Sequence, residues 1–225
     1  MQVQVVEPFQ LIKFKSSVLA QQCKSIGEQI LNYQKYIDPN GCIISNMGGW
    51  QSRFPENSIP FFDEWTRYLK DTLTQCYIMY VQEFYEKQYM ILYEETGKGQ
   101  KFDIALWFNI NWPGDHNIEH VHLHFTPVRD EFSYIEKSGI IDPELRKSRD
   151  FWLPQAFGNF YVTDSDNTFF ISKVPFGFAE EKDRTYINLN AGEFIIGHPK
   201  INHGASINKK DDPRITIAYN IFPRL

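Results

Sequence analysis

The sequence predicts a mostly β protein with flanking helices (an α+β chain), and the main reason is a change in its hydrophobic period. Before about residue 100 apolar residues recur at helical spacing, whereas from residue 102 they alternate with polar ones. Several short apolar segments then follow, separated by clusters of Gly, Pro, Asn and Asp. Two helices followed by seven or eight strands favour a β-sandwich or barrel with the helices packed on one face.

The first hundred residues are predicted to hold one short strand and the two helices. Residues 2–7 favour the strand, and an apolar stripe at helical spacing predicts a helix over 16–36. A loop rich in small residues follows over 45–52. A second amphipathic helix is predicted from about residue 61 to 87. We expect both helices to pack on a sheet.

The rest of the chain is predicted to supply most of the strands. Residues 102–111 alternate apolar and polar side chains, and a Trp-Pro-Gly-Asp turn leads from them into a histidine-rich strand. The segment 125–157 is too long for an ordinary connection, so it is either an insertion that covers a site or a solvated surface excursion. Further strands are predicted at 159–163, 168–174, 185–189, 193–197, 205–208 and 214–222.

Length and composition limit the possible functions. The chain has 225 residues, 42% of them hydrophobic, and a net charge of −5 without a dense basic run. This favours one domain over 1–225, with helical support over 1–100 and a strand-rich core over 101–225, and argues against nucleic acid or a membrane as the main partner. Three cysteines without framework spacing are typical of a cytoplasmic protein with free thiols. Oligomeric state has no signature in the sequence.

A cluster of histidines is the most informative stretch. Four of the six histidines fall within nine positions, from His116 to His124. Because alternate side chains of a strand share a face, His120, His122 and His124 would stand in a row. Imidazole is the commonest side-chain ligand for transition metals. Either His120 with His122, or His122 with His124, would then supply two metal ligands from one strand.

A distant histidine and an arginine complete the candidate site. His203 follows a predicted strand through a short polar loop, and Arg214 shares a strand face with Thr216. A buried guanidinium is costly unless it meets an anion, and its fork suits a carboxylate. The alternative for Arg214 is a surface ion pair with Asp211 or Asp212. Neighbouring histidines, a remote histidine and a carboxylate clamp favour a non-haem iron site with positions open for a co-substrate and dioxygen.

These elements, in this order, resemble the iron(II)/2-oxoglutarate-dependent oxygenases. More narrowly, the chain is similar to small bacterial and phage-encoded oxygenases related to the prolyl hydroxylases. The segment 157–162 stands where that branch has Ser-Gly-Val-Tyr-Tyr-Val. The resemblance runs from about residue 45 to the C-terminus. The matching motifs are Gly-Gly-Trp-Gln-Ser at 48–52, Asn-x-x-His-x-His at 117–122, His-Gly at 203–204 and Arg-x-Thr at 214–216, followed by Tyr-Asn at 219–220.

The resemblance implies a fold, a reaction and a set of site residues. The fold is a double-stranded β-helix (a jelly-roll, cupin-like core) with two N-terminal helices packed on one sheet. The reaction is hydroxylation of a small-molecule or peptidyl substrate by dioxygen, coupled to decarboxylation of 2-oxoglutarate to succinate, with ascorbate as a further candidate cofactor. The implied Fe(II) ligands are His120, His122 and His203. The implied 2-oxoglutarate contacts are Arg214, Thr216 and Tyr161.

The sequence departs from this pattern in three ways. His122 stands where most of the superfamily has Asp or Glu, so three neutral ligands would leave the metal site with a 2+ charge. His124 leaves the register of the ligating pair open, although the Asn-x-x-His spacing favours His120 with His122. About 30 residues separate the histidines from the segment 157–162, where a few are usual. The substrate therefore does not follow from the relatives.

Two other function classes remain open. A cupin-like three-histidine iron dioxygenase, such as a thiol dioxygenase, would bind the carboxylate of its substrate with Arg214 and would not consume 2-oxoglutarate. A non-enzymatic jelly-roll module for binding or structure would hold Fe(II) weakly, and substitution of His203 would leave its ligand binding intact.

Overall fold

The computed structural model describes residues 2–6, 9–53, 63–85, 101–122, 155–174 and 180–224. Within these ranges the chain forms two α-helices and two antiparallel sheets, which confirms the predicted mostly β class with helices. The helices are α1 Ser17–Tyr36 and α2 Asp63–Phe84. The strands are β1 Gln2–Val6, β2 Leu11–Lys15, β3 Asn46–Met47, β4 Trp50–Gln51, β5 Lys101–Asn111, β6 His116–His120, β7 Ala156–Tyr161, β8 Thr168–Ser172, β9 Arg184–Asn188, β10 Glu193–Gly197, β11 Asn202–Ala205 and β12 Arg214–Arg224.

Strands that are distant in sequence are neighbours in both sheets. The larger sheet has the order β1-β2-β10-β7-β12-β5-β4, and the smaller sheet has the order β3-β6-β11-β8-β9. β12 pairs with β5 along its whole length and with β7 on its other side. In the smaller sheet β11 lies between β6 and β8, and His203 stands directly opposite His120. The pairing therefore joins the two histidine motifs without any sequence proximity.

Both helices share a hydrophobic cluster with one face of the larger sheet. The side-chain oxygen of Ser16 caps α1 by accepting a hydrogen bond from the backbone N–H of Leu19 at 3.3 Å. Neither described helix is long and apolar enough to cross a membrane. Buried side chains of both helices form one hydrophobic cluster with the apolar face of the sheet, to which β12 contributes Ile215, Ile217, Tyr219 and Ile221.

The loop around Trp50 links the two sheets. β3 pairs with β6 in the smaller sheet, whereas β4 pairs with β5 in the larger one. Between them, Gly48 has a φ of +86° and lies so close to Asp115 that an added Cβ would collide with its carboxylate. A Cβ at Gly49 would collide with the carbonyl oxygen of Ile110. Both glycines are therefore required by close approach of the loop to the end of β5 and the turn after it.

Several predicted boundaries were wrong. His203 lies inside β11 rather than in a loop before a strand at 205–208, because pairing with β6 and β8 overrides the weak strand propensity of Asn-His-Gly-Ala. β2, β3 and β4 were not predicted, and two-residue strands have no periodicity to detect. Ala156 already belongs to β7. Residues 125–154 of the predicted insertion 125–157 lie outside the described residues, and so does His124.

Candidate metal centre

Three histidines, two from the end of β6 and just beyond it and one from β11, converge at one point. His120 ends β6, His122 follows two residues later, and His203 lies opposite His120 in β11. One ring nitrogen from each lies within 4.8 Å of the others, and the Nε2 atoms of His122 and His203 are 3.3 Å apart. Among the residues that the structure describes, these three form the one group of His, Cys, Asp and Glu side chains with a metal-binding arrangement.

Backbone carbonyls set the orientation of two of the imidazoles. The Nδ1 atoms of His120 and His203 each lie 2.8 Å from a carbonyl oxygen two residues earlier, that of Ile118 and that of Ile201. A carbonyl oxygen only accepts hydrogen bonds, so each Nδ1 donates and each Nε2 keeps a free lone pair. This is the tautomer that a metal ligand requires when the metal binds Nε2.

The imidazoles are held in the neutral form. Burial lowers the pKa of His120, and it lowers the pKa of His203 well below the usual value, where the other two rings add to the effect. Burial and then the neighbouring His120 lower the pKa of His122 to about 3, against a hydrogen bond with Asn220 that raises it. Metal ligands must be unprotonated, so three neutral, convergent nitrogens fit a divalent transition metal.

Aromatic rings enclose the histidines. Phe157 stacks on His203 with ring centroids 4.0 Å apart and on His122 at 5.1 Å. Phe169 stacks on His203 from 5.5 Å, and Trp107 lies 6.1 Å from His122. Phe157 is the first residue of the segment 157–162, which was matched to Ser-Gly-Val-Tyr-Tyr-Val by its position in the chain. Its contact with two imidazoles could not be foreseen, because it depends on the register between the sheets.

No described carboxylate joins the three histidines. Glu119, the acidic residue nearest to them in sequence, accepts hydrogen bonds from Arg184 at 3.1 Å and from Asn202. The side chain of Asp115 accepts from the backbone N–H of Trp112 at 2.9 Å. Both carboxylates are thus engaged elsewhere, and His122 occupies the third position of the cluster.

Arg214 is buried beside the histidine cluster without an ionic partner. Only 1% of the residue is exposed, and within the described chain no carboxylate lies within 4.0 Å of its guanidinium. The alternative ion pair with Asp211 or Asp212 is therefore not formed. Burial lowers the pKa of Arg214, but a guanidinium stays protonated in proteins.

Two hydroxyl groups stand next to Arg214 on the same face of the larger sheet. Thr216 of β12 is paired in register with Tyr161 of β7 and with Asn109 of β5. The side-chain amide of Asn109 donates to the hydroxyl oxygen of Thr216 at 3.5 Å, which leaves the Thr216 hydroxyl hydrogen free to donate. Burial raises the pKa of Tyr161, so its hydroxyl stays protonated and can donate.

One pocket joins the imidazoles to this polar end. All six site residues named from the sequence line it: His120, His122, His203, Arg214, Thr216 and Tyr161. His124 lies outside the described residues, so the choice between the two ligand registers stays a prediction. The pocket is also lined by Asn117, which the sequence marks only as the first residue of the Asn-x-x-His motif, and by Asn109 and Asn159, which were not predicted to belong to the site. Asn109 and Asn159 could have been found by carrying the face of Thr216 and Ala218 across to the paired strands.

Comparison with known proteins supports the fold. No protein-family model and no curated protein matches the chain. Among solved structures, a Pseudomonas putida prolyl-4-hydroxylase aligns with a TM-score of 0.58 and 9% identity over 96% of this chain and 94% of the other. The chain therefore shares the fold of this prolyl-4-hydroxylase.

Two further solved structures share this fold. HygX from Streptomyces hygroscopicus, solved with nickel and 2-oxoglutarate bound, has a TM-score of 0.53 and 10% identity over 96% of this chain and 83% of its own. AviO1 from Streptomyces viridochromogenes has a TM-score of 0.50 and 12% identity over 94% and 88%. At these identities the likeness establishes the fold, and the chemistry has to be argued from the pocket.

Proposed function

We propose that the protein is a non-haem Fe(II)/2-oxoglutarate-dependent dioxygenase that hydroxylates a small-molecule or peptidyl substrate. We also propose that its two sheets form the double-stranded β-helix of that superfamily, with both helices on the larger sheet. The observation that carries the proposal is one pocket that holds three neutral imidazoles and a buried guanidinium without a carboxylate partner among the described residues. A hydrolytic metal site has no evident need for such a cation.

Each site residue has a role in this proposal. His120, His122 and His203 would hold the metal, and three protein ligands leave positions of an octahedral ion open. Bound Fe(II) would supply the redox chemistry that couples oxidative decarboxylation of 2-oxoglutarate to oxygen insertion into a C–H bond.

Arg214 would attract the distal carboxylate of 2-oxoglutarate, and the hydroxyl groups of Thr216 and Tyr161 would donate hydrogen bonds to it. Phe157 and Phe169 would exclude water from the side of the metal that His203 faces.

Anaerobic binding of Fe(II) and 2-oxoglutarate tests the proposal. The wild type should develop the weak visible charge-transfer band of a chelated 2-oxo acid, and with a suitable substrate it should release succinate in air. Arg214→Ala should abolish the band at moderate 2-oxoglutarate concentrations, whereas Lys209→Ala, which removes an exposed cation, should not. A wild type that forms no band and converts no 2-oxoglutarate contradicts the proposal.

A second function is favoured by His122 specifically. Three imidazoles without a carboxylate are the donor set of cupin-like iron dioxygenases that bind a thiol substrate directly. In that case Arg214 would bind the substrate carboxylate, and 2-oxoglutarate would produce no band. Titration of the Fe(II) protein with L-cysteine, followed by its ultraviolet and visible spectrum, would then show thiolate ligation instead.

A further inference from the structure

Most of the hydrogen-bonding capacity of Arg214 is already used within the protein. A guanidinium has five N–H donors. Its Nη1 donates to the backbone carbonyl oxygens of Asp166 and Ser206, at 2.8 and 2.7 Å. Its Nε and Nη2 both donate to the side-chain oxygen of Asn111, at 3.4 and 3.2 Å. One N–H on Nη2 remains. Arg214 thus supplies a fixed positive charge, but it lacks the two free parallel donors of a carboxylate fork.

Asn117 is a polar side chain at the same end of the pocket, and its carboxamide has no partner among the residues that the structure describes. In β6 it pairs with Ala205 of β11, and the next residue, Ser206, accepts a hydrogen bond from Arg214. Asn117 and Arg214 line the same pocket. Asn117 is half-buried, and its carboxamide makes no hydrogen bond to any described residue. It therefore presents two N–H donors that no described residue uses, in the same pocket as the guanidinium.

The neighbouring asparagine on β3 shows what a structural role looks like here. Asn46 stands opposite Asn117 in the strand pairing and is 3% exposed. Its side-chain nitrogen donates to the carbonyl oxygen of Gly49 at 2.7 Å, and its side-chain oxygen accepts from the backbone N–H of Ile44 at 3.1 Å, so Asn46 stabilises the loop. Asn117 has no such bonds within the described residues.

We propose that Asn117 is a recognition residue for the distal carboxylate of the 2-oxo acid, acting with Arg214, Thr216 and Tyr161. The inference rests on the proposed function and deepens it. An ionised carboxylate offers about four acceptor positions. The one free N–H of Arg214, the two hydroxyl groups and the amide of Asn117 together provide the donors that a buried carboxylate needs. Arg214 contributes the charge, and the neutral groups contribute most of the hydrogen bonds.

This division of roles predicts selectivity for the length of the 2-oxo acid. The 2-oxo and 1-carboxylate groups would contact the metal, whereas the distal carboxylate of 2-oxoglutarate would reach the end formed by Asn117 and Arg214. Pyruvate chelates a metal through the same two groups but has no distal carboxylate. Asn117 should therefore affect the binding of 2-oxoglutarate and not that of pyruvate.

Asn117→Leu tests the inference by binding, without any need for the hydroxylation substrate. Dissociation constants for 2-oxoglutarate and for pyruvate are measured from the charge-transfer band of the anaerobic Fe(II) protein. Loss of a hydrogen bond to a charged group should weaken 2-oxoglutarate roughly 10- to 100-fold. Pyruvate and Fe(II) should bind as they do to the wild type. Asn40→Leu, the same substitution in an exposed loop, is the matched control.

A second variant, Asn117→Asp, guards against a failure of the leucine variant to fold. It keeps the size and polarity of the side chain but places a negative charge beside the ligand carboxylate, so it should weaken 2-oxoglutarate more than leucine does. Unchanged 2-oxoglutarate affinity in both variants overturns the inference. An equal loss of affinity for pyruvate or Fe(II) also overturns the inference, because it would show that Asn117 stabilises β6 and does not contact the distal carboxylate. A wild type without any 2-oxoglutarate band defeats the proposed function itself.

Discussion

The two faces of β12 differ in almost every respect although they share one backbone. Ile215, Ile217 and Tyr219 point at the helices and are almost completely buried in a hydrophobic cluster. Arg214 and Thr216 alternate with them along the strand. They are also buried, but they line the pocket. The helix-facing side gains free energy from apolar burial. The pocket-facing side keeps polar groups whose burial is costly, so substitutions on the two faces should affect stability and ligand binding in opposite proportions.

The largest effect should come from removing a ligand on the pocket side. His203→Ala deletes one of three convergent nitrogens. Loss of a residue that only hydrogen-bonds to a metal ligand typically costs roughly 10- to 100-fold in metal affinity, so loss of the ligand itself should lower Fe(II) affinity by more. Anaerobic Fe(II) titration or Co(II) absorption measures this. His198→Ala is the matched control, because the Nδ1 of His198 accepts a hydrogen bond from Lys200 outside the cluster. Equal metal affinity in His203→Ala and the wild type would remove His203 from the site.

The helix-facing side should respond in stability rather than in binding. Ile217→Ala creates a cavity at a fully buried position and should lower the free energy of unfolding by about 2–5 kcal/mol. Metal affinity, measured below the unfolding transition, should stay within about threefold of the wild type. Ile207→Ala, at a residue that is 48% exposed, should change stability by less than about 0.5 kcal/mol. A large loss of metal affinity in Ile217→Ala would show that the two faces are coupled.

Residue patterns along single strands and helices could be predicted because they depend on local period. The alternation of β5 and β12 assigns one face to the core and one to the pocket. The helical stripes predict the bounds of α1 to within one residue and those of α2 to within three. The four residues that first suggested the site, His120, His122, His203 and Arg214, were found by residue type and order. The structure brings all four into one pocket.

Features that depend on the register between distant strands could not be predicted. Phe157 stacks on His203 because β7 and β11 face each other across the pocket, which no local pattern encodes. Asn117 is placed beside Arg214 through β11, although 97 positions separate them in sequence. β11 itself was predicted three residues too late, because its strand conformation comes from its neighbours.

Acidification should separate the pocket from the rest of the core. In the folded protein the pKa of His203 lies well below its usual value, so between those two values the unfolded chain binds more protons than the folded one. The free energy of unfolding should therefore fall as the pH drops below about 6.5, by roughly 1.4 kcal/mol per pH unit for each fully shifted histidine. Above that pH the contribution should be constant.

Urea unfolding of the metal-free protein between pH 7.5 and pH 5 measures this dependence. His203→Ala removes one shifted group, so its stability should depend less steeply on pH than that of the wild type. Ile217→Ala should lower the whole curve without changing its slope, because no titrating group is removed. Stability that rises on acidification would show that the histidines gain, rather than lose, favourable interactions when they are protonated.

The smallest effect should come from replacing Asn109, an asparagine on the pocket face whose burial lowers the stability of the protein. Asn109 is 5% exposed, its side-chain oxygen has no partner among the described residues, and its amide reaches Thr216 only at 3.5 Å. Asn109→Leu removes an unsatisfied buried acceptor at similar volume, so the metal-free protein should become more stable by up to about 1 kcal/mol. Thr216 loses the donor that orients it, so 2-oxoglutarate should bind a few-fold more weakly. Urea unfolding and the charge-transfer titration measure the two quantities on the same sample. A variant that is less stable and binds 2-oxoglutarate normally would show that Asn109 stabilises the fold and does not serve ligand binding. The two faces of the sheet would then differ less in their contributions to stability and binding than their burial indicates.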